Sequence, residues 1–372
     1  SVLQTPILLL GSLIILVLGF KELGGWDEMM RVCGAVTVND YGDTMTNLIR
    51  SNDDANFPWL GALIGSAIIG FWYWCTDQFI VQRVLSGKNE MEARRGTIFG
   101  AYLKLLPVFL FLIPGMIAFA LHQKYIGAGG EGFLPMLENG TANADAAFPT
   151  LVAKLLPAGV KGLVVCGILA ALMSSLASLF NSSAMLFTID FYKRFRPQTS
   201  EKKLVGIGQV ATVVIVILGI LWIPIMRSVG DVLYTYLQDV QSVLAPGIAA
   251  AFLLGICWKR TSAQGGMWGL ISGMVIGLTR LGAKVYYSNA GEVADSTFKY
   301  LFYDMNWLFF CGWMFLFCII VVIVVSLATE APTAEKIQGL VFGTATKEQK
   351  ASTRASWNHW DIIHTVIILA IT

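Results

Sequence analysis

"GFWYWCTDQFIVQRVLSG", residues 70–87, places four large rings, Phe71 to Trp74, directly before an aspartate, two glutamines and an arginine. That density of hydrogen-bonding groups is ordinary on a soluble protein, but the surrounding chain is not soluble in composition. Of its 372 residues only 13% are charged and 56% are hydrophobic, with a mean hydropathy of +0.66, against roughly 25% charged residues in a soluble globular domain. The stretch therefore belongs to a membrane protein, where its polar groups require partners or a polar solute inside an apolar medium. A formal net charge of +2 supplies no basic field, so no nucleic-acid partner is expected.

Working outward, nine apolar spans lie near 2–20, 58–82, 97–121, 162–189, 204–226, 232–257, 265–283, 306–328 and 360–372. Most reach the roughly 20 residues that cross hydrocarbon as helix, and the last falls short because the chain stops inside it. The predicted class is an all-α membrane protein of about nine transmembrane helices forming one domain over 1–372, since only helices and closed barrels satisfy their backbone in lipid. The loops 83–95, 191–203, 257–264 and 328–358 hold 15 lysines and arginines, against 7 in 21–57, 122–149, 225–231 and 284–305. The first set is read as cytoplasmic, giving a multi-pass protein of the plasma (inner) membrane with the lipid bilayer as its first partner. The segment 328–358 reads as a solvated linker with one or two helical turns. The missing initial methionine and the ending inside an apolar span suggest a piece of a longer protein.

Six scattered cysteines without a CxxC pair are predicted to be small core residues. Three separated histidines give no metal cluster or triad. Asn139-Gly140-Thr141 is a glycosylation sequon on the outer side.

The functional question is which polar groups lie at membrane depth: Asp77, Lys104, Asp190 and Asp239 do. Lys104 either lifts its ammonium to the headgroups or donates to a polar solute in the bundle. Asp77 and Asp239 suit a buried lock with a cation such as Arg83, above all Asp77. The neutral amides are more telling, because they offer donor and acceptor to a hydroxyl-rich ligand without desolvating a charge.

In "CGILAALMSSLASLFNSS" the serines either ease helix packing or bind. Ser174 and Ser175 follow Ala171 by three and four residues, which brings both hydroxyls toward the Ala171 carbonyl on one side of a helix. A hard cation such as Na⁺ seeks such oxygens, and two more would come from another helix. Gly61, Gly65 and Gly70, together with Ala245-Pro246-Gly247, mark the spans near 58–82 and 232–257 as candidates for bent or broken helices.

"WYWCTDQFIVQRVLS", "GAYLKLLPVFLFLIPGM", "AALMSSLASLFNSSAMLFTIDFYKRFRP", "YLQDVQSVLAPGIAAAFLLGICWKR" and "GGMWGLISGMVIGLTRL" together closely resemble the sodium/glucose cotransporters of the solute:sodium symporter family, in unbroken order from about residue 2 to 328. The resemblance implies a partial LeuT-type bundle of two inverted five-helix repeats. Residues 2–20 then resemble core helix five, 58–257 core helices six to ten, and 258–372 the peripheral helices, with four helices of the first repeat outside this sequence. It further implies Tyr73 as the inner-gate tyrosine stacking on the sugar and Trp74 as its neighbour. Lys104 and Gln238 match sugar-contacting residues, and Ala171, Ser174 and Ser175 match the sodium site. Gly70 stands where relatives carry a polar sugar-contacting side chain, and Tyr234 where they often carry phenylalanine. Ala177 replaces the hydroxyl expected of a second sodium site, which favours one coupled ion.

The expected activity is Na⁺-driven symport of a hexose-type sugar by alternating access, with Na⁺ as co-transported ion and no obligate protein partner. The alternatives keep the scaffold with another small polar solute (inositol, an amino acid, a carboxylate or a vitamin), or a sugar sensor without coupled transport. An enzyme is disfavoured because no His/Asp/Glu constellation shares one depth.

Overall fold

The computed structural model describes residues 4–137, 140–229, 233–290 and 294–372; Asn139 of the sequon lies outside them. The main helices are α1 (Gln4–Leu23), α2 (Trp26–Gly34), α3 (Trp59–Cys75), α4 (Gln78–Leu85), α5 (Glu90–Leu105), α6 (Ile113–Gly127), α7 (Ala147–Leu155), α8 (Ala158–Met185), α9 (Glu201–Val229), α10 (Leu233–Cys257), α11 (Ala263–Asn289), α12 (Trp307–Ala328), α13 (Lys347–Ala355) and α14 (His359–Ile371). Among the described residues there is no β-strand.

All nine predicted spans fall on helices. Six stretches are long and apolar enough to cross a membrane alone: Thr5–Leu23, Glu90–Gly127, Ala158–Phe195, Glu201–Pro224, Leu233–Cys257 and Trp307–Ala328. α3 and α4 qualify together as a pair bent by 49°. α11, with 27 residues, is long enough at about 1.5 Å per residue but carries Arg280 and Lys284. α14 has 13 residues.

Contacts cluster into two compact units interleaved along the chain: Ser1–Leu48 with Tyr102–Ile225, and Ile49–Ala101 with Met226–Thr372. In the first unit α1 runs antiparallel to α8, with Gly11 against Val164 and Gly167 against Ile7. It runs parallel to α6, with Gly19 against Ile117 and the Lys124 ammonium donating to the Glu22 carbonyl at 2.8 Å. Ile15, Ile117, Leu121, Leu151 and Val164 form the buried centre. Pro107 has no N–H to return to Leu103, so the helix widens into a π-helical turn over Val108–Leu112.

The second unit is built on glycine. Gly265, Gly269, Gly273 and Gly277 recur every fourth residue of α11 and so share one face. A Cβ added to Gly265 or Gly269 would strike Ser326 or Val322 of α12, and one on Gly273 or Gly277 would come 2.9 Å from the Gly247 Cα or 2.5 Å from the Val243 carbonyl oxygen of α10. α11 is thus antiparallel to both α10 and α12. α3 lies parallel to α12, with Gly61 and Gly65 against Leu308 and the Asn306 amide donating to the Ala55 carbonyl at 2.7 Å. These directions are the ones that alternating crossings require. In the linker, the Phe342 N–H donates to the Ile256 carbonyl at 2.7 Å, which ties the segment to the end of α10.

Three sequence expectations need correction. Pro246 does not break its span, because α10 runs uninterrupted from Leu233 to Cys257; Gly247 serves the close approach to Gly273 instead. Cys33, Cys311 and Cys318 are buried as expected, whereas Cys75, Cys166 and Cys257 are exposed. Asp77 does not pair with Arg83. It caps α4 by accepting the Phe79 N–H at 3.0 Å, while Arg83, six residues on and so on another side of the helix, lies over the Phe79 ring at 4.4 Å.

Replacing Gly273 by leucine is expected to cost about 1–3 kcal/mol through overpacking, read as a lower melting temperature of the detergent-solubilised protein. Gly282→Ala on the same helix, where a Cβ meets nothing within 4 Å, should leave the melting temperature unchanged or raise it, by up to about 1 kcal/mol of stability.

Candidate functional site

Gly70, Tyr73 and Trp74 are spaced i, i+3, i+4 in the last turns of α3 and so share a face. Tyr73 is half-buried and Trp74 is 43% exposed, with their rings edge to face at 5.5 Å and 89°. A Cβ at Gly70 would meet nothing within 4 Å, so this glycine leaves open space one turn from Tyr73. The helix ends immediately afterwards at Thr76 and Asp77. The Thr76 hydroxyl donates to the Trp72 carbonyl at 2.7 Å, and Asp77 begins α4 as its N-cap. Asp77 thereby takes up an N–H that no helical carbonyl satisfies, while the Thr76 hydroxyl is a further donor to a carbonyl that already accepts the Thr76 and Asp77 N–H groups.

Tyr234 and Gln238 stand one turn apart on α10, and the Gln238 amide donates toward the Tyr234 hydroxyl at 3.4 Å. α10 and α3 belong to the same unit and share a core in which Ala245 and Ala249 cluster with Ile68 and Ile69. Lys104 is exposed in the last turn of α5, just before the π-helical turn, and belongs to the other unit.

The oxygen-bearing stripe of α8 also lies in that other unit. Val164 and Gly167 pack on α1, and the stripe continues through Ala171 to Ser174 and Ser175, both exposed. Among the described residues neither hydroxyl bonds the Ala171 carbonyl; the Ser178 hydroxyl instead donates to the Ser174 carbonyl at 3.1 Å. Asp190 is exposed in the π-helical turn Leu186–Tyr192. A groove of about 860 Å³ lies in the second unit between Ala93–Ala101 and Ile362–Leu369, and none of the expected sugar or sodium residues lines it.

Asp239, beside Gln238, has partners that the sequence reading missed. Its carboxylate accepts from Arg280 at 3.4 Å and from Lys284, both on α11. The sequence signal was present: two cations spaced i, i+4 at the end of the glycine repeat, set in an otherwise apolar span. Their partner stands 41 and 45 residues upstream, beyond any local pattern.

The chain is 36% identical to human sodium/myo-inositol cotransporter 2 over 353 residues, covering 92% of this chain and 52% of that protein. It is 35% identical to the bovine sodium/mannose cotransporter SLC5A10 over 379 residues, covering 96% of this chain and 62% of the other. With sheep sodium/glucose cotransporter 1 it shares 38% identity over 355 residues, 88% of this chain and 52% of that one. The chain thus spans about half to three-fifths of the length of these relatives. The family model "Sodium:solute symporter family" matches residues 1–273, and with it the chain belongs to the sodium:solute symporter family.

Proposed function

We propose that the complete protein is a secondary active transporter that couples the inward descent of Na⁺ to the uptake of a hexose-type sugar, working as a single transporter domain of inverted-repeat design in the plasma membrane. The observation that carries this reading is the Gly70–Tyr73–Trp74 face: two aromatic rings and an open glycine at the end of a helix that bends by 49°. Aromatic faces stack on the apolar side of a sugar ring for about 0.5–1.5 kcal/mol, by analogy with aromatic pairs. The Gln238 amide, the Tyr234 hydroxyl and the Lys104 ammonium serve the sugar hydroxyls, and a buried hydrogen bond left unmade costs about 1–3 kcal/mol. An apolar solute of the same size leaves those groups unsatisfied, so the site discriminates by penalty more than by attraction.

Ala171, Ser174 and Ser175 contribute oxygens for Na⁺, with the remaining ligands supplied by helices outside this sequence. Sodium binding favours the outward-facing form; sugar binding closes the outer path, and opening of the inner path around Tyr73 releases both. One charge moved down 100 mV releases about 2.3 kcal/mol, enough for roughly a fiftyfold sugar gradient before any sodium gradient is counted.

Inositol is the second reading. It rests on the relatives named for myo-inositol and on Gly70, whose missing side chain enlarges the space beside Tyr73. Tyr73, Lys104 and Gln238 as a set favour the hexose.

Three measurements on the full-length protein in proteoliposomes test the proposal. Replacing both Ser174 and Ser175 by alanine is expected to raise the sodium concentration for half-maximal uptake about thirtyfold, from the loss of two oxygen ligands worth roughly 1 kcal/mol each; unchanged sodium dependence removes them from the site. Gln238→Leu is expected to raise the half-saturating sugar concentration about tenfold through an unpaired hydroxyl. In competition uptake, glucose or galactose should displace labelled hexose well below the concentrations at which inositol or proline does; stronger displacement by inositol would transfer the assignment to the second reading.

A further inference from the structure

The second unit encloses a charge cluster with more cations than anions. The Arg280 side chain is 0% exposed. Its guanidinium lies over the Phe310 ring at 4.0 Å and donates to the Met305 carbonyl at 2.8 Å, to the Leu301 carbonyl at 3.4 Å and to Asp239 at 3.4 Å. Lys284 donates to the other Asp239 oxygen. One carboxylate on α10 is therefore held from two successive turns of α11.

The glycine repeat explains why such a device is needed. Four glycines let α11 approach α10 and α12 closely, but a glycine surface carries no side-chain knobs to index the rotation of one helix against the other. Val243 meets Gly277 in an antiparallel pair. One turn earlier on α10, Asp239 therefore falls level with the stretch between Arg280 and Lys284, where the glycines stop. The glycines set how near the helices stand, and the cluster sets where on its circumference α10 meets its neighbour.

Gln238 precedes Asp239 and so projects about 100° away around the same helix. We propose, resting on the sugar-site reading above, that the Asp239–Arg280–Lys284 cluster is the positioning device for Gln238: by fixing the rotation of α10 it gives the amide one direction, and Lys284 thereby sets sugar affinity without touching sugar. A roll of roughly 20° would carry a side-chain tip some 5–6 Å from the helix axis through about 2 Å, more than the 2.7–3.2 Å range of an N–H···O bond tolerates.

The test uses full-length protein in proteoliposomes with labelled hexose. Lys284→Met leaves Asp239 paired one to one with Arg280. It is expected to raise the half-saturating hexose concentration about fivefold, with the maximal rate and the half-saturating sodium concentration at saturating hexose within about twofold of wild type. Lys284→Arg should restore the sugar value. The decisive arm is the double variant: because Lys284 acts through Gln238, Gln238→Leu with Lys284→Met should match Gln238→Leu alone.

A wild-type half-saturating hexose concentration in Lys284→Met, or loss confined to the amount of folded protein, overturns the proposal, and so does an additive double variant. Should Lys284→Met fail to fold, Asp239→Glu carries the same test: it keeps both ion pairs while displacing α10 by one methylene, and an unchanged sugar value there is equally fatal. If Gln238→Leu itself leaves sugar affinity unaltered, the sugar-site reading fails. A strong Gln238 effect with a silent Lys284 sinks the positioning device alone.

Discussion

Between helices in a bilayer there is no hydrophobic reward, because lipid tails are as apolar as the side chains they would replace. Association has to come from close van der Waals contact and from polar groups that lack any better partner. The second unit meets that constraint on one face of α11. Gly265, Gly269, Gly273 and Gly277 admit α12 and α10 to distances at which a single methyl group would collide. Further contacts follow from that approach: Ser326 reaches the Ser262 N–H at 3.1 Å, Gly247 meets Gly273, and two cations are delivered onto Asp239. The exposed leucines and valines of α12, such as Leu316 and Val324, need no protein partner, since lipid serves them equally well.

The same medium governs where a helix can stop. A freed N–H or C=O in hydrocarbon has no water to turn to, so the bend after Tyr73 is tolerable only with local substitutes. The Asp77 carboxylate supplies one by accepting the Phe79 N–H, and the Trp72 carbonyl keeps the Thr76 and Asp77 N–H groups as donors. At Pro246 the demand is smaller. Only the Ser242 carbonyl loses its intrahelical donor, and the helix continues because Ala245, Pro246 and Gly247 are buried against neighbouring helices. A proline in a tightly packed segment is thus a weaker breaker than an aspartate that can cap.

This contrast shows what the sequence could and could not reveal. Apolar runs and the distribution of lysines predict the spans and their alternation, and the helix directions within each unit follow that alternation. The aromatic and amide faces are legible because Gly70, Tyr73 and Trp74, and likewise Tyr234 and Gln238, are joined by helical spacing alone. Asp77 misleads because an aspartate near an arginine suggests a pair, although a separation of six residues turns the two apart and the local N–H groups lie nearer. The partners of Asp239 are illegible for a different reason: which cation reaches a buried carboxylate is settled by the packing of distant helices. The four-residue glycine period in "GGMWGLISGMVIGLTRL" was the available clue, since it identifies the face of α11 that turns toward α10.

The excess of positive charge around Asp239 raises the question of why burial is tolerated at all. Two cations and one carboxylate leave a net charge in a setting where removing an ion from water costs several kcal/mol even after relaxation. The chain offsets this with neutral groups. The wide π-helical turn Tyr300–Asp304 ends beside Arg280, and C-terminal carbonyls carry the negative end of a helix dipole. Two of its neighbouring oxygens, those of Leu301 and Met305, accept from the guanidinium while the Phe310 ring presents its electron-rich face. Main chain and ring therefore take up most of the Arg280 guanidinium, and Asp239 shares one oxygen with it while giving the other to Lys284. An arrangement that serves stability alone would be met as well by an apolar contact of equal volume. What an apolar contact lacks is direction, and direction is what the residue next to Asp239 requires.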